Sequence, residues 1–223
     1  MTEPAAPRMA ATVVLLRDGA AGPQVWLHER SRAVGFMPSA WVFPGGRVDP
    51  ADDDGGEPPD ERVPRGFWTA AVRELAEEAN VALDVAALRP YARWITPLAE
   101  PRRFDTLFFL ARVPDGVEPV VDGGEAMNGG WFDIRDALER VEAGTLPVAP
   151  PTLRTLWELR DAARVQPVLD ERYALVPCCP QYHIEPDGTH FVLLPGDPDH
   201  PSPDAVDPPH RYAFRQGRWW AKG

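Results

Sequence analysis

A chain with 27 prolines and 18 glycines among 223 residues leaves few stretches where a helix can run, because proline lacks the amide donor and clashes with the preceding turn. Phe67 to Asn80 is one of them. Ala, Leu, Glu and Arg dominate it and no Gly or Pro interrupts it, so the stretch reads as a helix. Trp68, Ala71, Val72, Leu75 and Ala79 fall on one side at helical spacing, while Glu74, Glu77 and Glu78 share the other within an arc of about 100°. The helix therefore has an apolar stripe to bury and an acidic stripe left over. Like charges three and four apart cost a helix about 0.2–0.5 kcal/mol per pair, and a hard cation removes that cost. Oxygen-only donors with water completing the shell suit Mg²⁺ or Mn²⁺ better than Zn²⁺, which prefers His and Cys.

The flanking sequence supplies strands. Ala11–Leu16 and Gln24–Leu27 are apolar runs separated by the Asp18-Gly19 and Gly22-Pro23 turn signals and read as a hairpin. Ala40–Phe43 is a short strand running into Pro44-Gly45-Gly46, and the acidic, Pro/Gly-rich Asp49–Gly66 reads as a loop. Tyr91–Ile95, Thr106–Val113 and Trp131–Ile134 are further strands. Two helices follow, Arg135–Ala143 and Thr152–Val165, the second with Leu153, Leu156, Trp157, Arg160 and Ala163 at helical spacing. In the tail, Tyr182–Ile184 with Phe191–Leu194, and Arg211–Phe214 with Arg218–Trp220, read as two hairpins packed on the main domain. Pro195–Pro209 between them is too proline-rich for regular structure.

Charge and composition narrow the function. There are 23 Lys plus Arg against 34 Asp plus Glu, a formal charge of −11, which disfavours a protein that holds nucleic acid through its phosphates. A polyanionic substrate would need local positive charge, for instance a metal. Cys178 and Cys179 are adjacent, cannot staple distant segments, and fit a reducing, cytoplasmic setting. No signal-peptide layout opens the chain, and Ala10–Leu16 is too short to span a bilayer. Neither a G-x-x-x-x-G-K-[ST] loop nor a G-x-S-x-G elbow is present, the only serines being Ser31, Ser39 and Ser202. Cys178, Cys179, His183 and His190 lack the spacing of a structural zinc site.

Gly45-Gly46 followed by Arg73-Glu74-Leu75-Ala76-Glu77-Glu78-Ala79-Asn80-Val81 resembles the Nudix box: a glycine, five residues, an acid, seven residues, then R-E-U-x-E-E-x-G-U with U aliphatic. Gly46 plus five residues reaches Asp52, one carbon short of the usual Glu. Asn80 stands for the closing Gly, and Asn is the residue after Gly that best tolerates positive φ. Twenty residues rather than seven separate Asp52 from Arg73, which leaves Asp49, Asp52, Glu57 and Glu61 as candidates for the acidic position; a longer surface loop costs little. Trp94-Ile95-Thr96-Pro97 and Arg102-Arg103-Phe104-Asp105-Thr106 resemble a subgroup whose box also carries an insertion and which includes peroxisomal coenzyme A diphosphatases.

The resemblance implies an α/β (α+β) fold, an α/β/α sandwich around a mixed β-sheet with a C-terminal β-hairpin extension. It divides the chain into a disordered 1–9, a Nudix domain over 10–166 and a β-rich extension over 167–223. It implies a metal-dependent pyrophosphohydrolase acting on a nucleoside diphosphate derivative, with coenzyme A or acyl-CoA as first choice and a homodimer as a familiar assembly. Glu74, Glu77, Glu78 and the Gly45 carbonyl would hold Mg²⁺ or Mn²⁺. Glu74, Glu78 and Glu125 would be catalytic, with Glu74 and Glu125 competing for the role of general base. Gly46, Arg73 and Asp52 would shape the motif. Arg30, Arg47 and Arg103, with Arg102 also in reach, would bind phosphate, since arginine pairs well with its oxygens. Trp94 and Phe104 are more readily core than base-stacking platforms. The rival is a Nudix-like module that binds a nucleotide metabolite without catalysis.

Overall fold

The computed structural model describes residues 5–31, 39–121, 123, 126–202, 205–206, 209–215 and 218–222. Its centre is a mixed sheet. β1 (Arg8–Asp18) and β2 (Pro23–Arg30) form the expected hairpin, its turn closed by the Gly19 N–H donating to the Gly22 carbonyl at 2.8 Å. Gly22 has φ +142°, where a side chain would be strained. β3 (Trp41–Val42), β4 (Gly45–Arg47), β5 (Arg89–Ile95), β6 (Phe104–Arg112), β7 (Ala126–Asp133) and β8 (Pro177–Cys178) complete it. The order is β3-β2-β1-β6-β5-β8, with β4 also on β1 and β7 also on β2. β1–β6 and β5–β8 are parallel and the other pairs antiparallel.

Alternation along the strands gives the sheet two apolar faces. Ala11, Val13, Leu15, Leu107 and Phe109 point to α1 (Arg65–Ala79), which buries Phe67, Trp68, Ala71 and Leu75 against them. Trp68 tilts against Phe109 at 4.9 Å between ring centroids. Complete burial of Leu75 is worth about 2 kcal/mol. On the other face Val14, Leu16, Leu27, Phe108 and Leu110 meet α2 (Ile134–Glu142), α3 (Pro150–Leu159) and α4 (Val165–Asp170). The result is the α/β/α sandwich.

α1 starts after Pro64 and ends at Asn80, which adopts φ 53°, ψ 36° and donates its N–H to the Ala76 carbonyl. Asparagine here does the work of a closing glycine. Elsewhere the chain departs from expectation. The last helix of the domain stops at Leu159, and a second one, α4, starts at Val165; the intervening turn is held by Asp18, whose carboxylate accepts the Val165 N–H at 2.8 Å. β1 begins at Arg8, inside the stretch expected to be unordered. The two tail hairpins, β9 (Gln181–Ile184) with β10 (His190–Leu193) and β11 (Arg211–Arg215) with β12 (Arg218–Lys222), join through β10–β11 into one antiparallel sheet. Val192 and Tyr212 of that sheet enter the main core, and β8, from the same tail, extends the main sheet. Among the described residues no helix is long and apolar enough to cross a membrane.

Candidate active site

The acidic side of α1 rests on β4. The Gly45 N–H donates to Glu78 Oε2 at 2.7 Å. A Cβ on Gly45 would lie 2.4 Å from the Ala11 carbonyl oxygen, and one on Gly46 would lie 2.3 Å from Glu74 Oε1. Each glycine thus permits a close approach, the first of β4 to β1 and the second of β4 to the Glu74 carboxylate.

Arg73 organises the other acids. Its Nε and Nη2 donate to the two oxygens of Asp52 at 3.0 and 2.9 Å, Nη2 also to the Arg47 carbonyl at 2.9 Å, and Nη1 to Glu74 at 2.9 Å and Glu77 at 3.2 Å. Of the four acids that could face Arg73 across the insertion, Asp52 is therefore the one paired with it. Asp52 sits at the end of a 3₁₀ turn, Pro50–Asp52, and also accepts the Asp49 N–H at 2.8 Å. Burial pushes its carboxyl up, but the Arg73 and Asp49 hydrogen bonds outweigh it and hold the group below the usual carboxylate range. For Glu74 the balance reverses: burial raises its carboxyl above the ordinary range against the pull of Arg73, with Glu77 and Asp52 adding repulsion. A half-buried carboxylate in acidic company is a good cation ligand.

The insertion folds onto its own charges. Arg65 binds Asp54 through Nε and Nη2 at 3.0 Å each and lowers that carboxyl to about 2. Arg62 pairs with Asp60 and donates to the Tyr173 carbonyl at 2.9 Å, which ties the insertion to the segment after α4.

Glu74, Glu77 and Glu78 line one cavity of about 850 Å³ together with Arg30, Arg47 and Arg102. Val42, Phe43, Phe104 and Phe108 form its apolar side, and Pro151 and Thr152 at the start of α3 close another. The Nε of Arg30 is buried with no hydrogen-bond partner. Arg103 departs from expectation: it is buried outside this cavity, its Nε and Nη1 donating to the Thr96 and Ala5 carbonyls at 3.1 and 2.8 Å. Its neighbour Arg102 lines the cavity instead. Trp94 belongs to the core, and Glu125 lies outside the described residues. Among the described residues no three acids stand already gathered at ligand spacing; Arg73 engages Glu74 and Glu77 while Gly45 engages Glu78. The donors present, carboxylate and carbonyl oxygens, match a hard divalent ion in kind.

Sequence reasoning gave no role to His28. It is buried on β2, its ring 5.7 Å from that of Trp26, with Nε2 3.8 Å from Glu78 Oε2. Nothing local marks it, because fifty residues separate it from Glu78.

The NUDIX domain family matches residues 6–151. The chain belongs to the Nudix family. A Caenorhabditis elegans protein named nudix hydrolase 7 is 29% identical over 215 residues, covering 78% of this chain and 68% of that protein. The crystal structure of a NUDIX hydrolase from Alicyclobacillus acidocaldarius superposes with a TM-score of 0.67 at 27% identity, over 75% of this chain and 97% of that one. The NUDIX domain of Shewanella oneidensis NrtR, crystallised with ADP ribose, shares the fold with a TM-score of 0.52 at 18% identity, over 70% of this chain and 88% of that one. The chain is thus a Nudix hydrolase, an enzyme that acts on pyrophosphate bonds. Its box is interrupted between Asp52 and Arg73, and the side chains of those two residues close the interruption.

Proposed function

We propose that this Nudix hydrolase is a Mg²⁺- or Mn²⁺-dependent pyrophosphohydrolase that cleaves the diphosphate linkage of a nucleoside diphosphate derivative. The observation that carries the reading is one cavity lined by three carboxylates of α1 and four arginines, Arg30, Arg47, Arg73 and Arg102, seated on the Gly45-Gly46 backbone. Glu74, Glu77, Glu78 and the Gly45 carbonyl would hold the metal, which when bound neutralises phosphate charge and acidifies water.

Arg30, Arg47 and Arg102, in the same lining, orient the diphosphate, their charge drawing a polyanion to a chain that is otherwise acidic. A water oxygen attacks one phosphorus, the bridging P–O bond breaks, and each product leaves with one phosphate. Glu74, with its raised carboxyl, or Glu125 takes the water's proton. Arg73 positions Glu74 and Glu77 without reaching the reacting atoms. Phe43, Phe104 and Phe108 give an apolar wall beside the phosphate site, which supports coenzyme A or an acyl derivative, a phosphate-rich head on an apolar arm, as the first substrate to test.

The test is product release from coenzyme A, acyl-CoA, ADP-ribose, nucleotide sugars, NADH and diadenosine polyphosphates, with Mg²⁺ or Mn²⁺ and with chelator. Metal-dependent cleavage within one class is expected. No cleavage of any, with one compound still raising the melting temperature, would overturn catalysis in favour of a binding module.

A further inference from the structure

A second cavity, of about 640 Å³, lies between α3, α4 and β5 and shares no lining residue with the catalytic one. That volume falls within the range of small-molecule sites, which combine apolar walls with a few convergent polar groups. Tyr91, Leu159, Val168, Tyr173 and Val206 line it, and Arg154 of α3 is its buried cation, its side chain 7% exposed. Arg154 Nε pairs with Glu158 Oε1 at 2.6 Å, and the other Glu158 oxygen is taken by the Tyr91 hydroxyl. The carboxylate is therefore engaged at both oxygens while the guanidinium is not: Arg154 Nη1 is buried with no hydrogen-bond partner. The Tyr212 hydroxyl is buried beside Arg154 but lies outside the cavity lining. An unmatched buried donor such as Arg154 Nη1 costs stability, and native chains generally satisfy such groups.

We propose that this cavity is a second ligand site, taking a small organic molecule with one oxyanion head, carboxylate or phosphate, on an apolar body. The head accepts from Arg154, and the body lies against Tyr91, Tyr173 and Val168. Of the acids in the lining, Glu158 is matched by Arg154 and Tyr91, Asp161 is paired with Arg135 and Arg160, and Glu171 is exposed, so the buried part of the cavity offers a cationic head no available acid. The site is independent of the chemistry proposed for the catalytic cavity.

Isothermal titration of the full chain with benzoate, phenyl phosphate and benzyl alcohol tests this. Benzoate or phenyl phosphate should bind at one saturable site and benzyl alcohol should not, the better of the two acids naming the head group. Arg154→Met removes the head's partner and should weaken binding about ten-fold or more, the worth of a charge-assisted hydrogen bond. Because Arg154 also supports Glu158, Ala162→Phe provides a variant that keeps every charge: Ala162 lines the cavity, so a ring there fills it and should abolish binding while the circular dichroism spectrum is kept. Arg47→Ala, in the catalytic cavity, should bind as the wild type does. Binding by neither acid, equal binding by benzyl alcohol, or binding lost in Arg47→Ala and kept in Ala162→Phe would each overturn the proposal.

Discussion

Gly46→Ala separates catalysis from folding. The added Cβ would lie 2.3 Å from Glu74 Oε1 and 2.4 Å from its carboxyl carbon, about 1 Å short of an ordinary contact. Gly46 has no left-handed φ to strain, so alanine fits its backbone and what must yield is the free end of a flexible side chain. Glu74 swings away at a stability cost of about 1 kcal/mol or less, chiefly its weakened contact with Arg73. A 1 Å misplacement of a catalytic group costs about 10²-fold in rate. Gly45→Ala is the control with the opposite signature: its Cβ meets the Ala11 carbonyl at 2.4 Å and Thr12 Cα at 2.7 Å, backbone that cannot move without parting β4 from β1, at about 1–3 kcal/mol. kcat/KM at saturating Mg²⁺ and urea denaturation midpoints measure the two effects. Wild-type kcat/KM in Gly46→Ala would refute the placement of Glu74 in the reaction.

Three further outcomes follow from the contacts. Arg73→Met leaves the buried Asp52 carboxylate unpaired and should cost about 2–3 kcal/mol, below the range for a fully enclosed pair because Arg73 is partly exposed; denaturant melts check it, and an unchanged midpoint would contradict it. Arg102→Ala should raise KM with little change in the melting temperature, whereas Arg103→Ala, which loses bonds to two carbonyls, should lower stability by about 2 kcal/mol; the reverse pattern would restore Arg103 as the phosphate ligand. Asp197 is held below the ordinary carboxylate range by Arg211, which grips it at 2.9 and 2.8 Å. Its contribution is therefore full above the unfolded value near 3.8 and lost as pH falls through the lower folded value. Asp197→Asn should lower the urea midpoint at pH 6 and narrow its gap to wild type toward pH 3; a constant gap would contradict the assignment.

The elements legible in the sequence are those whose determinants are local. α1 shows as a Gly/Pro-free amphipathic stretch, its end as an asparagine able to take positive φ, and the hairpins as alternating runs around turn dipeptides. The break between α3 and α4 has no such mark: helix formers run through Leu159, Arg160 then stacks over Trp157 at 3.7 Å, and α4 is capped by Asp18, 147 residues away in sequence. The same limit governs the site. The acids of α1 and the glycines of β4 announce themselves by spacing, whereas Arg102 and Arg103 are adjacent residues ahead of β6, and only the fold decides that one lines the cavity and the other anchors Thr96 and Ala5. His28 and the α3 residues Pro151 and Thr152 reach the site from strands and helices with no local signature.

The most direct test of the central claim is turnover of the cleaved substrate against free Mg²⁺, in wild type and in Glu78→Gln, with circular dichroism to verify the fold. Saturable activation in the wild type, none with chelator, and a loss of about 10²-fold or more in a folded variant are expected. Turnover that survives chelation, or that Glu78→Gln leaves unchanged, would contradict metal-assisted hydrolysis on the α1 carboxylates.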